Sequence, residues 1–132
     1  MSGINKSELS KRIDTIESGY EFLLAYAAQG RTTDKGVSQG QNVRQFLEDM
    51  DTALSDLGTV CMDTARLRDG DNITQYQAFL DAVADDAKKA QGVIRLVLAC
   101  PDVSSQLVDN MNTNVHLRAL LTDLFVIDDA LK

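Results

Sequence analysis

Apolar residues recur at steps of three and four in three separate stretches of the chain: Leu9, Ile13, Ile16, Tyr20, Leu23, Ala27; then Val43, Phe46, Met50, Ala53, Leu57, Val60, Leu67; then Ile73, Tyr76, Leu80, Val83, Ala87, Ala90, Ile94, Val97. A helix gathers such positions into one narrow stripe, whereas a half-buried strand needs strict alternation. A fourth stretch begins Leu107, Met111 and resumes Leu117, Leu120, Leu124, Ile127, Leu131. Its step from Met111 to Leu117 is one residue short of a heptad. Either the helix breaks at Asn112-Thr113-Asn114 or its apolar face rotates by about 100°. No alternating run persists, and no Asn-Gly or Asp-Gly turn separates β-branched runs, so nothing supports a sheet.

The punctuation places the ends. The first helix is expected to open near Ser7, with Asn5 or Ser7 accepting from free amides and Glu8 at the positive end of the dipole, and to close at Gly30. Gly30 to Gly40 then reads as the longest and most mobile loop, a connector or a lid. Its glycines match no phosphate-binding fingerprint, because no Gly-Lys-Ser/Thr is present and no strand precedes it. The second helix spans about residues 41–68, with Leu47, Leu54 and Cys61 widening its stripe and Gly58 marking a close crossing or a slight bend. Arg68 to Asn72 is a turn whose aspartates lack the spacing of a calcium loop. The third helix runs 73–99 and stops before Cys100-Pro101, since the residue preceding proline avoids the α region. Asp102 or Ser104 caps the fourth. Four long segments with short connections predict one all-α domain over residues 1–132, an antiparallel up-down-up-down four-helix bundle with its fourth helix open to a break near Asn112–Asn114. Leu23, Leu57, Val83 and Leu124 are expected in its core.

Charge narrows the partners. The 132 residues carry a formal net charge of −7, which disfavours phosphate backbones and anionic lipid, so neither nucleic acid nor membrane is expected as a partner. No apolar run approaches the ~20 residues that span a bilayer, and Met1 to Lys6 lacks the apolar core of a signal peptide. The expected location is cytoplasmic. Cys61 and Cys100 read as two small thiols in a reducing compartment rather than a disulfide framework.

Catalytic constellations are sparse. His116 is the only histidine, no strand-to-helix elbow presents either thiol to it, and the paired Glu-x-x-His motifs of a di-iron bundle are absent. Zinc would need Cys61, Cys100, His116 and an aspartate without close ligand spacing. No cofactor and no metal are therefore expected, and no enzymatic activity. A single histidine on an acidic four-helix bundle resembles the histidine-containing phosphotransfer domains of bacterial signalling. That resemblance implies phosphoryl acceptance at His116 and docking of a response regulator. Here His116-Leu117-Arg118-Ala119-Leu120-Leu121 offers one nearby cation, has leucines where the family's motif has small residues, and lies on the last segment rather than the second.

The third and fourth stripes leave apolar residues over: Phe79, Val93 and Leu96 fall outside one, and Val115, Phe125 and Val126 outside the other. Clustered in the later half, they predict a partner-binding surface for another protein or for a second copy in a homodimer. The resulting expectation is a non-enzymatic protein that works by contact, as a regulator, adaptor, chaperone-like factor or small structural subunit. The alternative is a histidine phosphotransfer protein using His116.

Overall fold

The computed structural model describes residues 2–36 and 38–131, with side chains at 8–36 and 43–131. The chain is helical throughout: α1 (Ser2–Ala27), α2 (Ser38–Leu54), α3 (Leu57–Asp69), a 3₁₀ turn (Gly70–Asn72), α4 (Ile73–Ala99), α5 (Ser105–Asn112) and α6 (Val115–Ala130), with no strand among the described residues. The stripes become a shared core. Ile16 and Leu23 of α1, Leu47 and Leu54 of α2, Leu57 of α3, Val83 and Ile94 of α4, and Leu117 and Leu124 of α6 are all buried.

α1 packs on α2, α3 and α5, and α4 packs on α2, α3 and α6. The register of these pairs is fixed by individual contacts. Phe22 stacks on Phe46 with ring centroids 4.1 Å apart, Gly19 leaves room for Met50, and Arg12 donates to the Ser55 carbonyl, so numbering falls along α1 as it rises along α2. Arg44 donates to the Leu98 carbonyl at 3.0 Å, Arg95 pairs with Asp51 at 3.0 Å, and Gly58 abuts Ala84, which runs α2 and α3 opposite to α4.

The structure departs from the sequence reading in four places. α1 starts at Ser2 rather than near Ser7, and the side chains of the suggested caps Asn5 and Ser7 lie outside the described residues. The second helix is two: it breaks after Leu54, and Asp56 takes a left-handed conformation with φ 56° before α3 begins. Other helices hold this break open. Arg12 of α1 takes the Ser55 carbonyl, while Gln91 of α4 donates to the Asp51 carbonyl at 3.0 Å and to Ser55 Oγ at 3.1 Å, supplying partners for groups that a continuous helix would have paired internally. Leu67, assigned to the second stripe, is exposed, because the buried face of α3 runs Leu57, Cys61, Thr64, Ala65 and leaves Leu67 about 100° away.

The fourth departure is the loop after α1. Residues 31–34, expected to be mobile, are tied to the α4–α5 connection. The Arg31 and Ser105 main chains are linked through Ser105 Oγ and a 2.8 Å backbone bond, Tyr26 donates from its hydroxyl to the Val103 carbonyl at 2.6 Å, and Thr33 donates to Asp102 at 2.5 Å. Asp34 is buried beneath them, 2.6 Å from Arg44 Nε and accepting from the Val103 amide at 2.9 Å. Arg44 spends its remaining donors on the carbonyls of Leu98, Cys100 and Pro101. Residue 37 lies outside the described residues, and residues 38–40, read as loop, belong to α2.

The step of six does mark a break. α5 ends at Asn112, and Asn114 caps α6 by accepting from the amides of His116 and Leu117 at 3.0 and 3.3 Å. Ser104 caps α5 through the Leu107 amide at 3.0 Å.

Candidate functional site

The buried face of α4 carries Leu80, Val83, Ala87, Ala90, Ile94 and Val97, and that of α6 carries Leu117, Leu120, Leu121, Leu124 and Ile127. What these faces leave out divides into two groups. Leu96, Val115, Phe125 and Val126 remain exposed, at 66%, 67%, 53% and 50%. Phe79 and Val93, expected beside them, are half-buried and packed against the core, so they border the surface rather than stand free on it.

Helical geometry places the exposed group. Val115 and Val126 are eleven residues apart, three full turns to within about 20°, so they share one line along α6. Arg118 and Thr122 lie exposed between them, Phe125 flanks the line, and Asp129 extends it. α4 packs against α6. Phe125 and Val126 lie about 15 Å along α6 from Val115. The outer face of α6 is therefore an elongated apolar strip interrupted by one cation, one hydroxyl and one carboxylate, and Leu96 is exposed on the neighbouring α4. Leu24 of α1 and Leu67 of α3 are exposed as well and were missed because each sits beside or within a buried stripe.

His116 is half-buried in the first turn of α6, its amide held by Asn114 and Arg118 exposed two residues on. Cys61 is fully buried, and burial pushes its thiol up to about 12 despite an opposing pull from Arg12, which leaves it a thiol and not a nucleophile at neutral pH. Cys100 is half-buried and donates from Sγ to the Leu96 carbonyl at 3.4 Å. Three surface grooves, of 380, 350 and 640 Å³, are lined by neither cysteine nor by His116. Among the described residues no three His, Cys, Asp or Glu side chains gather to hold a metal ion, and no helix is long and apolar enough to cross a membrane.

One polar feature escaped the sequence reading. Asp123 of α6 and Asp86 of α4 are each half-buried beside their helix's apolar face, and Oδ2 of Asp123 is buried without a hydrogen-bond partner among the described residues. Burial, then the neighbouring Asp86 carboxyl, pushes the Asp123 carboxyl up to about 7. In the sequence each is one more acid on a solvated flank, and only the register of α4 against α6 brings them together. Comparison of the chain with family models, curated proteins and solved structures returns no match.

Proposed function

We propose that the protein is a non-enzymatic binding module that acts through the outer strip of α4 and α6, with Leu96, Val115, Phe125 and Val126 as its contacts and Phe79 and Val93 as a packed border. The observation that carries this reading is the exposure of four large apolar side chains on two neighbouring helices whose inner faces already supply a complete seam. A folded domain has no packing reason to keep them there, whereas a partner would bury them. The scaffold in this reading is an antiparallel up-down-up-down four-helix bundle in which α2–α3 and α5–α6 each form one broken column. The contact registers of α1 with α2, and of α2–α3 with α4, support it.

The experiment combines Leu96→Lys with Phe125→Lys. Both positions face solvent, so the double variant keeps wild-type circular dichroism and thermal midpoint. In an extract of the native cell the wild-type chain fractionates in an assembly larger than a monomer, and the double variant returns to the monomer position. Sedimentation of the purified wild type then separates a second copy from a different protein: a dimer identifies self-association, and a monomer identifies a hetero-partner. A wild type that is monomeric in the extract contradicts the proposal. Phosphoryl acceptance, which draws its support from the partial exposure of His116 alone, predicts instead that His116→Gln abolishes function. Under the contact reading that substitution leaves the assembly intact.

A further inference from the structure

Val115, Arg118, Thr122, Phe125, Val126 and Asp129 are all exposed. At about 100° per residue they fall within an arc of about 100° on α6, on the far side from the buried Leu117, Leu120, Leu124 and Ile127. The charges of this arc lie toward its two ends, Arg118 in the first turn of α6 and Asp129 in the last, with Thr122, Phe125 and Val126 between them. Each sits at the end of the helix dipole that disfavours its sign, so neither is placed to stabilise its own helix. A face with opposite charges at its two ends is complementary to its own copy turned end for end. We propose that this face pairs with the same face of a second copy of the chain, α6 against α6 and antiparallel, with Arg118 of each copy on Asp129 of the other. The inference rests on the contact reading of the strip and names the partner.

In an antiparallel pair, advance along one helix is retreat along the other. Arg118 opposite Asp129 of the second copy therefore sets Thr122 opposite Phe125 of that copy, and the twofold axis repeats both contacts. The apolar middle is closed at each end by an ion pair, and Val126 flanks it. A parallel pair would instead set Arg118 on Arg118 and Asp129 on Asp129, like charge on like charge. Each copy carries a net charge of −7, which opposes association in general, but the seam itself holds one cation and one carboxylate. Asp129 already has an interaction within its own chain, and the two oxygens of its carboxylate leave room for a further donor. From Val115 to Asp129 the seam is about 21 Å long. One such helix per copy falls short of the roughly 2,000 Å² and more that permanent dimers bury, so the association is reversible and depends on concentration.

The test is sedimentation equilibrium of the purified full-length chain over a range of concentrations, with charge reversal at the two ends of the seam. The wild type rises from monomer toward dimer as concentration increases. Arg118→Asp sets two carboxylates against each other at both ends, and Asp129→Arg sets two guanidinium groups there, so each variant alone dimerises at least about tenfold more weakly. An equimolar mixture of the two variants restores the opposite pairs and with them the wild-type association, as does the double swap Arg118→Asp with Asp129→Arg in one chain. Both positions are exposed and each reversed charge suits its end of the α6 dipole, so circular dichroism stays that of the wild type. Should either single variant unfold, the other decides alone. A wild type that stays monomeric throughout, a folded single variant that dimerises as the wild type does, or a mixture of folded variants that stays monomeric would overturn the self-pairing. The first of these leaves the contact reading standing, since that reading fails only when the chain is monomeric in the cell extract as well.

Discussion

Asp34 shows how much one side chain can contribute from a segment that reads as connector. Burial by itself raises its carboxyl, yet the hydrogen bond from Arg44 and the amides of Val103 and Asp34 itself outweigh burial and hold the carboxyl below its usual value of 3.8. Its stabilisation is thus present at pH above that value and is lost as pH falls through the lower folded one. Asp34→Ala leaves Arg44 facing only the carbonyls of Leu98, Cys100 and Pro101 and unties the loop, and should cost about 2–4 kcal/mol in urea unfolding at pH 7. A cost under about 0.5 kcal/mol, within the range of ordinary surface substitutions, would show that the clasp contributes nothing. Nothing local to Thr-Thr-Asp-Lys-Gly announces this role, since the groups that bury Asp34 lie ten and sixty-nine residues away. The exposure of Leu96, Val115, Phe125 and Val126 was legible because it depends only on the phase of each helix's own stripe. The partial burial of Phe79 and Val93 was not, because it depends on neighbours.

Elements follow the same division between local and distant causes. The limits of α4 coincide with its sequence signals, a turn before Ile73 and Cys100-Pro101 after Ala99, and the α5–α6 break follows from the slipped step and the capping Asn114. The α2–α3 break has no glycine or proline at it, and its supports, Arg12 and Gln91, come from α1 and α4. Gly58 was rightly singled out, as a close crossing rather than a bend. A Cβ there would meet Ala84 Cβ at 2.6 Å and Ala84 Cα at 3.2 Å. In an open helix Gly→Ala gains about 1 kcal/mol. Here Gly58→Ala should instead destabilise by about 1–3 kcal/mol, and Ala84→Gly in the same chain should recover part of the loss. A stabilised Gly58→Ala single variant would mean that α3 and α4 do not touch at this point. The clasp makes a second prediction at this scale: the amides of Arg31, Val103 and Ser105, all bonded across it, should exchange slowly in hydrogen-exchange measurements. Exchange as fast as at a free loop would show the segment undocked.

The molecule as a whole is an acidic helical protein with exposed apolar side chains on two packed helices, α4 and α6. Surplus leucine, valine and phenylalanine outside the helical stripes announce those side chains, whereas the partial burial of Asp86 and Asp123 appears only once the helices are packed. If the strip is the working surface, a photoreactive crosslinking residue placed at Leu96 or Phe125 in the native cell should yield one discrete adduct. The same residue at Lys11 of α1 or Asp63 of α3, both exposed, should yield none, and Val126→Lys should erase the adduct formed from Phe125. No discrete adduct from the strip, or the same products from all four positions, would contradict a contact function for this face.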